Sequence, residues 1–167
     1  MNTSVLKCIA VGFCFATTAP VAAAEMQNTK PLLNAVELWL VANFRLPPAT
    51  ALPRVVTVPS PKLVEMRYGP GSQVAEGEVM AAYDEASRTI YVTDGWTSRS
   101  PADLSVLVHE MVHHLQASAE MRFACPAERE VLAYRAQDAW LQLFGSDLES
   151  AFDMDPAMLL VATVCAH

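Results

Sequence analysis

SPADLSVLVHEMVHHLQA, residues 100–117, decides how the rest of the chain is read. Ser100, Pro101 and Asp103 supply an N-cap, a proline at the first helical position and an acidic first turn, which together start a helix. Leu104, Leu107, Val108, Met111 and Leu115 then recur with the helical period, so a helix is expected from about Pro101 to Ala117. On the adjoining face stands His109-Glu110-Met111-Val112-His113, an H-E-x-x-H pattern. Residues four apart project about 40° from one another on a helix, so both imidazoles reach one ion while Glu110 borders the same face. With only four histidines in the chain, a chance match is on the order of one percent or less. A metal site is therefore the better reading than a histidine-bearing surface helix.

A catalytic zinc keeps three protein ligands and one water, so a third donor has to come from elsewhere. A second helix is expected from Pro126 to Phe144, stopped by Gly145. If it folds back on the first, Glu130 and Glu128 both lie at the height of His113. Glu130 continues through Tyr134, Gln137 and Asp138 as a polar stripe, whereas the row from Glu128 through Leu132, Ala136 and Trp140 turns apolar. Glu130 is thus the preferred third ligand and Glu128 the alternative, Glu128 also being suited to a first-turn acid that needs no metal. Asp138 or Gln137 can orient an imidazole through its other nitrogen, and Tyr134 can donate to a ligand or to a developing oxyanion. His114, more than 100° off the ligand face, fits a supporting or surface position, and the terminal His167 is a further possible ligand.

Working outward, Leu33, Val36, Leu40 and Phe44 mark a helix from Pro31 to Phe44 that Pro47-Pro48 forbid from continuing. Between about Leu52 and Trp96 the pattern turns strand-like: Val55–Val58, Leu63–Met66, Val79–Tyr83 and Thr89–Val92, the last two joined as a hairpin by the polar Asp84–Arg88. A third, shorter helix follows Pro156 and ends at Cys165.

The chain has 167 residues, 53% of them hydrophobic and 17% charged, with 18 acids against 11 bases. That composition excludes disorder, fits one domain, and leaves no basic footprint for nucleic acid or anionic lipid. Residues 1–24 read as a secretory signal peptide: Lys7 opens it, Cys8–Thr17 is its apolar stretch, and Ala22-Ala23-Ala24 precedes cleavage before Glu25. Residues 25–167 then form a single domain without a membrane span, exported to a periplasmic or extracellular compartment. Cys125 and Cys165 remain as the only thiols and are expected to pair there.

HEMVHHLQ, residues 109–116, followed by EVLAYRAQ, residues 130–137, resembles a compact zincin metallopeptidase with a glutamate third ligand, a minimal gluzincin. It is also similar to secreted bacterial proteins known as a domain of unknown function. The resemblance spans about Val79 to Phe144. It implies an α+β fold in which a small antiparallel sheet packs on the H-E-x-x-H helix, followed by a second helix carrying the glutamate. It further implies an edge strand just before the first helix, near Thr89–Thr93, that aligns an extended peptide. The functional expectation is a Zn²⁺-dependent hydrolase of peptides or proteins, with His109, His113 and Glu130 holding the ion and Glu110 as general base. The rival expectations are a zinc-binding envelope protein without turnover, whose ion is closed off by a fourth ligand, and a metal-free structural module.

Overall fold

The computed structural model describes residues 24–25, 29–75 and 77–165. Most of the expected leader and His167 lie outside the described residues. The elements run β1 (Ala24–Glu25), α1 (Lys30–Phe44), β2 (Arg54–Val58), α2 (Ser60–Tyr68), β3 (Ala81–Asp84), β4 (Thr89–Thr93), α3 (Pro101–Ser118), α4 (Pro126–Gln142), α5 (Leu148–Phe152) and α6 (Pro156–Thr163). This is a mixed α+β architecture.

The sheet order is β1-β2-β4-β3. β3 and β4 form the expected antiparallel hairpin, Tyr83 opposite Ile90, but β2 runs parallel to β4, with Val56 opposite Tyr91. The all-antiparallel sheet is therefore corrected to a mixed one. The cause is α2, which occupies Leu63–Met66 where a strand was expected. Pro61 sits in its first turn, Lys62 and Glu65 pair at 2.9 Å, and Gly69, at φ 88°, returns its N–H to the Glu65 carbonyl. Once that segment is helical it carries the chain back for a parallel pairing. A second correction follows: Thr89–Thr93 is interior, flanked by β2 and β3, and the edges of the sheet are β1 and β3. Thr89, Ile90 and Val92 are fully buried, as a central strand's residues should be.

Two apolar clusters fix the layers. Leu33, Val36 and Leu40 of α1, Ile90 and Val92 of β4, the apolar stripe of α3 and Ala133 and Ala136 of α4 share one core. Val56 and Val58 of β2 point the other way, into a smaller cluster with Leu63 and Val64 of α2. The period-two alternation of β2 thus feeds both faces of the sheet.

α3 begins as its sequence dictates. Ser100 Oγ accepts from the Asp103 N–H at 2.9 Å, the Asp103 carboxylate accepts from the Thr97 N–H at 3.1 Å, and the Trp96 indole donates to the Asp103 carbonyl at 2.7 Å. From Ser105 to Gln116 every residue of α3 is buried, so its polar side chains have to find partners inside the protein. α5, which no apolar period announced, is a single turn capped by the Asp147 carboxylate on the Ser150 N–H at 2.7 Å.

Cys125, at the start of α4, is disulfide-bonded to Cys165, just past α6. No helix among the described residues is long and apolar enough to cross a membrane. Replacing both cysteines by serine should lower unfolding stability by about 4 kcal/mol, the loop-closure value for this separation. Denaturant melts of the variant and of the oxidised parent test it, and equal midpoints would mean that the bridge does not constrain the unfolded chain.

Candidate metal centre

α3 and α4 lie side by side, joined by the turn Ala119–Cys125. His109 and His113, one helical turn apart on α3, both face Glu130 in the second turn of α4. His109 Nε2 and His113 Nε2 are each 3.1 Å from Glu130 Oε2 and 3.1 Å from each other. These three side chains form a cluster that can hold a metal ion. Donors at tetrahedral angles with bonds of about 2.0–2.1 Å stand roughly 3.3–3.4 Å apart, so the observed triangle is close to the size that an ion of that kind requires.

The far side of each imidazole decides which atoms carry protons. Gln116 donates its amide to the Arg129 carbonyl at 3.0 Å, which turns Oε1 toward His113 Nδ1 at 3.1 Å. Gln137 donates to Ser105 Oγ at 3.4 Å, and that hydroxyl is itself committed to the Ala102 carbonyl at 2.8 Å. Gln137 Oε1 therefore faces His109 Nδ1, at 3.0 Å. An amide oxygen accepts, so each glutamine supports the tautomer with hydrogen on Nδ1, the one that would turn an Nε2 lone pair toward a cation at the shared point. In the ring's other tautomer Arg129 Nε donates to His113 Nδ1, at 3.3 Å, and Nε2 carries the hydrogen toward Glu130, at 3.1 Å. The ligand residues and their orienting glutamines are built as one unit.

The electrostatics agree with a cation at that point. Burial raises the proton affinity of the Glu130 carboxyl, but in the metal-free protein the hydrogen bonds and charges of His109 and His113 outweigh it, holding the group well below the usual glutamate range. Glu130 thus brings a full negative charge. Glu110, beside the cluster and buried, is shifted the other way: burial lifts its carboxyl above the usual range, partly offset by His109 and by a hydrogen bond from the Tyr83 backbone N–H. The Tyr134 ring stands edge-on to His109 at 4.6 Å, and its phenol is pushed up to about 12 by burial and by Glu130, so it keeps its proton.

The remaining sequence candidates separate cleanly. Glu128 is exposed and accepts from the Ala124 N–H, tying the turn to the start of α4. It makes no contact with the imidazoles, because two residues around the helix put it some 200° from Glu130. Asp138 does not touch an imidazole either: it accepts from the Leu148 N–H at 3.2 Å and from Gln142 at 2.6 Å, one residue past the glutamine that does the orienting. His114 is fully buried rather than at the surface. It donates from Nε2 to the Ala51 carbonyl at 2.9 Å and accepts at Nδ1 from the Tyr83 hydroxyl at 3.0 Å, and burial lowers its pKa, so it stays neutral. The sequence reading missed Gln116, Ser105 and Tyr83. Gln116 carried a signal, because three residues after His113 on the same helix is within side-chain reach.

The chain belongs to the family described as a domain of unknown function, DUF6647, whose model matches residues 25–167. No curated protein and no solved structure matches the chain.

Gln116→Leu or Gln137→Leu should weaken zinc binding about 10- to 100-fold, as loss of an orienting partner usually does, with the helices intact by circular dichroism. Competition against a chromophoric chelator reads this out. Glu130→Ala should abolish tight binding and Glu128→Ala should not, and the reverse order would reject the ligand set.

Proposed function

We propose that this chain is an exported zinc-dependent peptide hydrolase, with His109, His113 and Glu130 as metal ligands and Glu110 as general base. The observation that carries the reading is the convergence of two oriented Nε2 atoms and one carboxylate oxygen on a single point beside a buried carboxylate that is not among the donors. Among the described residues the cluster supplies three donors, the number that leaves a tetrahedral ion one position for water or substrate. Imidazole and carboxylate donors suit zinc and accept other first-row ions too.

Zinc bound there supplies Lewis acidity, polarising a scissile carbonyl and bringing the pKa of water to near neutrality. Glu110, held by the Tyr83 N–H, takes a proton from the attacking water as its oxygen bonds to the carbonyl carbon. The same carboxyl returns that proton to the amine as the C–N bond breaks, leaving a carboxylic acid and a free amine. Its raised proton affinity suits that exchange better than an ordinary surface glutamate would. Tyr134, protonated well above neutral pH, can donate to the oxyanion.

The sheet edge favours a peptide as the substrate. In the β3–β4 register, Met80 accepts from Thr93, so Ala82 and Asp84 face β4 while Ala81 and Tyr83 direct their backbone groups outward. That open side is the side of Glu110, because Tyr83 donates to it. An extended chain lying there has backbone partners beside the base. The aligning role expected of Thr89–Thr93 thus passes to β3. The Cys125–Cys165 bridge favours the exported location.

Glu110→Gln is the deciding variant. It should retain stoichiometric zinc and lose hydrolysis of an unstructured protein substrate such as casein by about 10²- to 10⁴-fold. Undiminished cleavage would reject Glu110 as the base. A parent protein that binds zinc and cleaves no peptide would instead be the non-catalytic metal-binding protein of the alternative reading.

A further inference from the structure

A groove of about 450 Å³ opens between α4, α5 and α6. Its floor on α4 is Val131, Tyr134, Arg135, Asp138 and Gln142, spaced i, i+3, i+4, i+7 and i+11 along one face. Tyr134 belongs to both the groove and the metal centre, since its ring packs on His109. The groove therefore adjoins the metal centre at Tyr134. The facing wall is apolar, with Leu148, Met154 and Leu159, while Asp138, Asp147 and Glu149 bring three carboxylates against the single Arg135. Asp138 is fixed in place by the Leu148 N–H and by Gln142, and the Ser150 N–H holds the Asp147 carboxyl below the usual range.

Dimensions and charge choose the occupant. Val131 to Gln142 is about 16 Å of helix at 1.5 Å per residue, the length of four or five residues of extended chain at about 3.4 Å each. A volume of this size lies within the range of ligand-binding clefts. Apolar wall residues flanked by carboxylates fit a side chain that has a methylene stem and a cationic head. Asp138 lies about 12 Å along α4 from Glu130, a distance that three or four extended residues cover.

We infer that this groove is the substrate-binding extension of the metal centre and accepts an extended peptide whose lysine or arginine, three or four residues from the bond at the metal, reaches Asp138, Asp147 and Glu149. The assignment rests on the peptide-hydrolase reading above, but occupancy of the groove is measurable without turnover. The protein's formal charge of -7 adds a long-range attraction for such peptides.

The test uses the full disulfide-bonded chain, zinc-loaded and zinc-free, with fluorescein-labelled alanine-rich decapeptides carrying one lysine, or glutamate or norleucine in its place. Anisotropy should show the lysine peptide binding about tenfold more tightly than the glutamate peptide, with the difference shrinking as salt rises. Glu149→Lys, at an exposed position, should erase that preference, Arg135→Glu should enlarge it, and both should leave zinc uptake unchanged. Cleavage mapping, where the protein cleaves, should place the lysine three or four residues from the cut. Equal affinity for the three peptides, or a preference untouched by Glu149→Lys, would overturn the proposal. So would a dimer in sedimentation that dissociates in Glu149→Lys, because the groove's occupant would then be a second copy. A chain that takes up no zinc yet retains the lysine preference would sink the hydrolase reading, and with it the groove's role as an extension of the metal centre, and leave only its preference for cationic peptides.

Discussion

Two imidazole lone pairs and a carboxylate oxygen aimed at one point repel each other unless a proton or a metal cation lies between them. Here the three atoms are 3.1 Å apart, and each imidazole is kept from turning away by a glutamine anchored at its other end. Without a cation, hydrogens on the imidazoles shared with Glu130 relieve that repulsion, and a bound cation would take their place. α3 and α4 are held face to face by the packing of Leu107, Met111, Leu115, Ala133 and Ala136, whose burial stabilises the pair regardless of what sits between the polar atoms. Apolar burial positions the helices, and the glutamines set the direction of the lone pairs. A cation held there would supply the last attraction across the α3–α4 interface.

That division explains what the sequence could disclose. The H-E-x-x-H pair is local: one helical turn determines its spacing, and the caps that determine the helix are adjacent in the chain. Glu130 required only the assumption that two neighbouring helices fold back on one another, after which helical phase separated it from Glu128. The sheet could not be read this way. Leu63–Met66 is four residues with no period long enough to distinguish strand from helix, and the prolines and the glycine that settle it lie just outside. Misreading that segment removes the crossover that makes β2 parallel to β4, and with it the identity of the edge strand. A single ambiguous turn of helix therefore changed the sheet's topology without touching the metal centre.

The partners of the ligands were legible only in part for a related reason. Gln137 fell on the same stripe as Glu130 and could be suspected, whereas its anchor Ser105 is 32 residues away in sequence and meets it only after the helices dock. Asp138 had the charge that suits a metal-bound imidazole and the wrong azimuth by one residue. A neutral amide at the right angle took the position instead. With glutamines behind both imidazoles, Glu130 is, among the described residues, the one carboxylate hydrogen-bonded to the two rings, so less negative charge opposes ionisation of the neighbouring Glu110 than a carboxylate in either position would impose.

His113 and His114 are adjacent in the chain and about 100° apart on α3, and the fold uses that angle to give them opposite duties. His113 turns into the metal cluster. His114 turns into the protein, where Ala51 takes its proton and Tyr83 gives it one. Tyr83 is also the residue whose backbone N–H holds Glu110. Its side chain thus grips α3 at His114 and its backbone N–H lies toward the Glu110 carboxylate, four residues away, which fixes the sheet edge against the helix at the height of Glu110. A phenylalanine at 83 would keep the strand and the backbone bond but leave His114 Nδ1 buried without a donor, at a cost of about 1–3 kcal/mol. The second histidine of the H-H pair therefore belongs to the same device as the first: one faces Glu130 in the candidate metal cluster, and the other holds β3 in register against the helix that carries it.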